Sequence, residues 1–249
     1  MNLNAFLPPL AQLDWAYFLD VDGTLIDIAD TPDSVTVDAS LLDLIARLYS
    51  ESGGAMALVR GRAISDLEKR LSALRLPLAG QHGLERRDAA GRLWMHAAPP
   101  AAKCAIKEAL APVLAQHAGL LLEDKGLTLA LHYRQAPQLE YFAQRLMKQL
   151  AQGADAGLEV QQGKCVAEIK PSGIDKGTAV AEYLGEIPFK GRRAVFIGDD
   201  LNDEHGFAEV NKLEGISIKV GKGPSCARYR LPDVAAVRRW LGDALKGEA

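Results

Sequence analysis

The stretch Tyr17–Leu25, YFLDVDGTL, decides how the rest of the chain is read. Tyr17, Phe18 and Leu19 form a short apolar run of the kind that a buried parallel strand shows. Asp20 ends the run, and Asp22, Gly23 and Thr24 follow as turn formers. Two carboxylates are thus expected on a tight loop at the carboxyl end of a core strand, where open α/β sheets bind ligands. Two readings fit the stretch by itself. One is a solvated Asp-Gly turn. The other is a cation site, because close anions repel unless a counter-charge joins them. Mg²⁺ suits such a site through its preference for hard oxygen ligands. One aspartate could then act as nucleophile and the other as proton shuttle.

Outward from that loop the pattern is strand, helix, strand. Asp38–Ser50 carries Leu41, Leu42, Leu44, Ile45 and Leu48 at helical spacing, with Asp38 as N-cap. Ala55–Val59 is a second buried strand. A helix through Ile64, Leu67 and Leu71 and a third strand at Pro77–Ala79 follow, and Leu84–Met95 reads as a hairpin around Asp88–Gly91. The polar segment Ile26–Val37 reads as a surface excursion. This order favours a parallel sheet with crossover helices.

Composition then shifts. His96–Ala102, HAAPPAA, reads as a linker, and Pro171-Ser172-Gly173 as the return. Between them lie helices over 103–118 and 138–152 and half-exposed strands at Leu127–Tyr133, near Leu158–Val160 and at Lys164–Lys170. That predicts a small α+β domain over residues 97–171, inserted into a core of residues 1–96 and 172–249. The core pattern resumes with helix 175–184, strand Ala194–Ile197, a helix near 203–210, strand Gly215–Val220 and helix Val234–Leu245.

Bulk properties exclude several classes. The chain has 249 residues, 48% hydrophobic and 24% charged, with a net charge of −3, so no nucleic-acid surface is expected. Cys104, Cys165 and Cys226 are too scattered for a disulfide framework or a zinc knuckle. No secretory signal and no membrane span are read from the sequence, and a cytoplasmic protein, monomeric or weakly dimeric, is expected.

A second acidic loop, Gly198–Glu204 (GDDLNDE), follows the strand at Ala194–Ile197. In a parallel sheet all carboxyl ends share one edge, so Asp199, Asp200 and Asp203 can meet Asp20 and Asp22. An acidic helix start explains this loop singly, but not the pair. Lys176 opens a helix, where a cation opposes the helix dipole unless an anion such as phosphate sits there. A solvated lysine paired with Asp175 or Glu182 is the alternative.

DVDGTL, the lysine of GIDKG and GDDLNDE resemble the motif set of the haloacid dehalogenase-like phosphatases. GQHGLERRD, LEDKGLTLALHYRQAP and GKCVAEIKPSG are similar, more narrowly, to the trehalose-6-phosphate phosphatase family. The resemblance runs from about Phe18 to the last helix. It implies a Rossmann-like α/β core with an inserted α+β cap domain that sets substrate specificity. It implies Asp20 as nucleophile, Asp22 as acid and then base, and Lys176 as the counter-charge to Asp20 and phosphate. Mg²⁺ would be held by the Asp20 carboxylate, the Asp22 carbonyl and Asp199, with Asp200 and Asp203 close by. Glu123, Lys125 and Glu168 would bind sugar hydroxyls, and Arg62 and His82 are further substrate-binding candidates. His82 could equally cap its strand, and the cap residues could be exposed ion pairs.

One position departs from the pattern. The family places Ser or Thr before Gly-Arg at the end of the second strand; here ALVRGR puts Arg60 there. Arg60 could grip phosphate, pair with Asp20 or Asp22, or fill the phosphate pocket. Its size and charge lead us to expect lowered turnover. The alternatives to a trehalose-6-phosphate phosphatase are a related phosphatase for another sugar phosphate and a low-activity form that binds sugar phosphate.

Overall fold

The computed structural model describes residues 6–27, 37–68, 74–154 and 157–246. Most of the polar excursion after Ile26 and the continuation of the second helix to Leu71 lie outside them. The chain divides into two compact units. One runs up to Trp94 and resumes at Ile174; the other spans Met95–Gly173.

The first unit contains β1 (Ala16–Leu19), α1 (Ala39–Glu51), β2 (Met56–Val59), α2 (Ile64–Glu68), β3 (Leu78–Gly80), β4 (Glu85–Arg87) and the strand β5 (Leu93–Met95). The second holds α3 (Pro100–Gln116), β6 (Leu121–Asp124), β7 (Leu129–His132), α4 (Glu140–Gly153), β8 (Leu158–Gly163) and β9 (Val166–Pro171). The first unit is completed by α5 (Lys176–Leu184), β10 (Ala194–Gly198), α6 (Asp203–Lys212), β11 (Ile216–Val220), β12 (Tyr229–Leu231) and α7 (Val234–Ala244).

The large sheet has the order β12-β11-β10-β1-β2-β3-β4-β5. The strands from β12 to β3 are parallel, and β4 turns back antiparallel to β3. This is the mixed α/β, parallel-dominated sheet that the sequence predicts. Its apolar strands are clothed on both faces. Tyr17, Leu19, Val195, Ile197, Ile216 and Ile218 share one core with Leu41, Ile45 and Leu48 of α1 and with Val237 and Leu241 of α7. Phe18, Ala57, Val59 and Phe196 share the other with Ala179, Val180 and Tyr183 of α5 and with Phe207 and Val210 of α6. Phe18 stacks on Phe189 with centroids 5.4 Å apart. Burial of each such ring or branched chain stabilises the fold by about 1.5–3 kcal/mol. β1 is the centre of the sheet, and all four of its residues are fully buried. Chain order reverses beside it, with β2 on one side and β10 on the other, which makes its carboxyl end the switch point.

The second unit is a four-stranded antiparallel sheet, order β6-β7-β9-β8, with α3 and α4 on one face. Leu129, Leu131, Ala167 and Ile169 pack there against Ile106, Leu110, Ala143 and Met147. The residues between them in register face the other way. Glu123 lies opposite Ala130, Ala130 opposite Glu168, and Glu168 opposite Gln161. One row across the sheet therefore carries two carboxylates and an amide.

Several boundaries differ from expectation. α3 begins at Pro100, inside the stretch read as linker, because proline is well suited to the first helical position. β6 and β12 are strands that the pattern did not predict. The strand expected over Lys164–Lys170 starts at Val166, since Lys164 and Cys165 form the tight hairpin turn from β8, with Cys165 at φ 60°. Among the described residues no helix is long and apolar enough to cross a membrane, and the three cysteines are free.

Candidate active site

The site is assembled at the carboxyl ends of β1, β2, β3, β10 and β11 and at the start of α5. β1 ends where Asp20 donates its amide to the Ile197 carbonyl at 3.0 Å, so the first acidic loop is tied to the strand that precedes the second. The loop then tightens, as the amides of Thr24, Leu25 and Ile26 all point at the Val21 carbonyl. Gly23 is required here. Its φ is +83°, and a Cβ would lie 2.2 Å from the Asp199 Oδ2. The absence of a side chain at residue 23 lets the two acidic loops touch. Gly198 serves the same purpose inside its own loop, where a Cβ would meet the Asp203 carboxyl carbon at 2.2 Å.

Asp175 caps α5 by accepting the Thr178 amide at 2.9 Å, which fixes Lys176 as the first helical residue. α5 packs tightly on α6, since a Cβ on Gly177 would lie 2.6 Å from the His205 carbonyl oxygen. That approach delivers the Lys176 ammonium to Asp20 Oδ1 at 2.7 Å and to Asp203 Oδ1 at 2.5 Å. All three side chains are buried. Asp203 Oδ2 accepts the Asp199 and Asp200 amides, both at 2.9 Å. Asp203 is thus fully committed to holding Lys176 and shaping the loop. Asp200, an exposed residue, turns its carboxylate back onto its own loop, accepting the amides of Asn202 and Asp203. The Asp199 carboxylate accepts no hydrogen bond from any described residue.

Oxygens of Asp20, Asp199 and Asp203 lie within 4.8 Å of one another. Burial, reinforced by Asp203 and Asp200, raises the Asp199 carboxyl to about 6. Burial likewise pushes the Asp20 and Asp203 carboxyls above the usual range, against the pull of Lys176. Burial works against the Lys176 charge too, but Asp20 and Asp203 outweigh it and hold the ammonium above the usual lysine range. Lys219, at the end of β11 and almost fully buried, donates to the Asp199 carbonyl. Four carboxylates against two ammonium groups leave two net negative charges. A divalent cation with a taste for oxygen cancels that excess, so the donor set fits Mg²⁺.

The neighbouring strand end is occupied by Arg60, which pairs with Asp22 and not with Asp20. Arg62 Nε stands 4.0 Å from the same carboxylate. His82 sits at φ 58° in the tight turn after β3, and its amide bonds the Arg60 carbonyl at 3.1 Å. Its ring covers Gly61, where a Cβ would be 2.7 Å from His82 Cε1.

In the second unit Lys125 Nζ reaches Glu168 Oε2 at 2.8 Å, and Thr128 Oγ1 donates to Glu168 Oε1 at 2.5 Å. Glu123 Oε2 meets His132 Nε2 at 2.8 Å. Lys125, Glu168 and Thr128 therefore form one polar group and Glu123 with His132 another, and the register places Glu123 and Glu168 in one row of the sheet. Sequence reasoning missed Thr128, His132 and Lys219. The signal for Lys219 was present, as it is the single charge in the apolar strand ISIKV and stands next to its carboxyl end.

Comparison with known proteins places this geometry. A profile of the Trehalose-phosphatase family matches residues 18–235. A trehalose-6-phosphate phosphatase of Escherichia coli (strain K12) is 45% identical over 233 residues, covering 94% of this chain and 87% of that protein. A probable trehalose-phosphate phosphatase of Sinorhizobium fredii is 46% identical over 208 residues, covering 84% and 78%. Among solved structures, a trehalose-6-phosphate phosphatase of Aspergillus fumigatus superposes with a TM-score of 0.77 at 22% identity, over 94% of this chain and 93% of that one. From the paired acidic loops, the buried lysine between them and these matches over most of its length, the chain belongs to the trehalose-phosphatase family.

Proposed function

We propose that this chain is a Mg²⁺-dependent phosphoric monoester hydrolase that converts trehalose 6-phosphate to trehalose and phosphate through an aspartyl-phosphate on Asp20. The observation that carries the reading is the buried Asp20–Lys176–Asp203 chain beside the unengaged Asp199 carboxylate, at the switch point of a trehalose-phosphatase-family sheet. We assign the unit Met95–Gly173 the part of specificity cap, and the protein a cytoplasmic, monomeric or weakly dimeric life with a small-molecule substrate.

Lys176 holds Asp20 Oδ1, which leaves Oδ2 as the attacking atom. As the bond from Oδ2 to phosphorus forms, the bond from phosphorus to the sugar oxygen breaks. The electron pair leaves on that oxygen, which takes a proton from Asp22. Asp22 then accepts a proton from the water that attacks phosphorus, and phosphate and the Asp20 carboxylate are released. Asp20, the Asp22 carbonyl and Asp199 would hold Mg²⁺, which when bound would supply positive charge to offset the phosphoryl oxygens. Asp200 and Asp203 position that loop. Arg62 and His82 contact the substrate, and Glu123, Lys125 and Glu168 recognise sugar hydroxyls, which rejects sugars that lack them.

The test is phosphate release from a panel of sugar phosphates with and without Mg²⁺. Trehalose 6-phosphate is expected to lead the panel by at least about tenfold in kcat/KM. A better rate on sucrose or mannosylglycerate phosphate would sink the substrate, and metal-independent release would sink the Mg²⁺ requirement.

Protons should compete with the metal. The Asp199 carboxyl titrates at about 6 when folded and at 3.8 unperturbed, so the metal-free fold gains from it below pH 4 and loses that gain as pH rises through 6. Mg²⁺ meets an ionised Asp199 only above that window. The rise in melting temperature on adding Mg²⁺ is therefore larger at pH 7.5 than at pH 5. At a hundredfold excess over its Kd, the ion adds about 2.7 kcal/mol. Thermal melts at the two pH values decide it, and equal shifts would refute it.

A further inference from the structure

The Asp22 carboxylate is already engaged on both oxygens. Arg60 Nε donates to Oδ2 at 2.6 Å and Nη2 to Oδ1 at 2.8 Å, the side-on bidentate form in which guanidinium and carboxylate match best. The guanidinium is not a surface arm that drifts away. Arg60 is 1% exposed and is the largest fully buried side chain among the described residues. Its backbone is pinned on both sides, the amide on the Ala79 carbonyl at 2.8 Å and the carbonyl by the His82 amide at 3.1 Å. The His82 ring closes over the next residue, Gly61.

We propose that Arg60 is a positioning residue that holds Asp22 away from the leaving group, so that turnover of substrates needing a proton is limited by how often this pair separates. The inference rests on the role of Asp22 as proton donor proposed above. The donor must bring an oxygen to the sugar oxygen as its bond to phosphorus breaks, and a carboxylate with both oxygens on one guanidinium has none to bring. Asp20 is untouched, because its partners are Lys176 and the acidic loop. The restraint therefore falls on protonation and spares nucleophilic attack.

Arg60 Nη1 is buried with no acceptor among the described residues, which offers a competing role as a grip on phosphate. Leaving groups separate the two roles. Nitrophenolate departs without a proton, whereas a sugar alkoxide does not. kcat/KM for trehalose 6-phosphate and for p-nitrophenyl phosphate is measured with Mg²⁺ on the full chain, on Arg60→Ser and on Arg60→Met. In both variants the value for trehalose 6-phosphate is expected to rise about tenfold or more, while that for the aryl phosphate stays within about twofold. Arg60→Lys, with the charge but without the fork, falls between. Thermal melts check folding, and Arg60→Met, which refills the buried volume, carries the comparison if Arg60→Ser does not fold.

A fall on both substrates with raised KM supports the phosphate grip and overturns the restraint. Equal trehalose 6-phosphate rates in parent and variants overturn it while leaving the proposed function intact. No form acting on trehalose 6-phosphate, with the aryl phosphate still hydrolysed, overturns the substrate reading and takes this inference with it.

Discussion

Asp20→Asn is expected to lower turnover of trehalose 6-phosphate by about four orders of magnitude or more, because a nucleophile that carries a covalent intermediate has no substitute in its site. The same substitution should barely alter stability. Asparagine keeps the shape of aspartate, and Lys176 keeps Asp203 at 2.5 Å as its counter-charge. What is lost is one of two partners of the ammonium. What is gained is relief from crowding, since burial together with Asp199 and Asp200 makes a charge on Asp20 unfavourable without metal. A melting temperature within a few degrees of the parent, with phosphate release gone, is the expected pair of results. Activity within a hundredfold of the parent would remove Asp20 from the nucleophile's role.

Lys176→Met should show the reverse balance, losing stability as well as activity. The ammonium is the shared counter-charge of Asp20 and Asp203, and both carboxylates are buried. Without it, two like charges face each other in a dry site. Removing one partner from a buried pair costs about 3–5 kcal/mol, which in a protein of this size is a fall of roughly ten degrees in melting temperature. The loss should shrink at pH 5.5 relative to pH 8, because the freed carboxyls can neutralise themselves with protons. Combining Lys176→Met with Asp20→Asn should cost less than Lys176→Met by itself, since a repelling charge is then gone. Urea unfolding at the two pH values measures all of this. A loss below about 1 kcal/mol at pH 8 would mean that the ammonium is not the keystone that its contacts suggest.

The aspartates were legible because each acidic loop directly follows an apolar strand and carries a glycine, so strand, turn and charge agree. Lys176 was legible because a cation at a helix start makes sense only beside an anion, and the anions prove to be Asp20 and Asp203. The pairing of Arg60 was not legible. Charge permits Asp20 as readily as Asp22, and only the reach of a pinned backbone selects between them. β6 was missed because LLED is half polar and mostly exposed, with no buried face to create alternation. β12 was missed because YRL is three residues at the sheet's edge. Lys219 was legible in principle, as the single charge in a strand otherwise built for the core, but a core strand was all that was read there.

The place of β1 in the sheet also bears on how the protein is made. Its partner on one side, β2, follows within about 40 residues, but its partner on the other, β10, comes nearly 180 residues later, with Ala16 lying opposite Ala194. A ribosome adding about 5–20 residues per second needs on the order of ten seconds or longer to cover that interval. For that time a strand whose four residues are all buried in the finished fold has one edge unpaired, a template for the wrong strand of the wrong molecule. The acidic loop that completes the catalytic centre is synthesised directly behind the strand that ends this exposure.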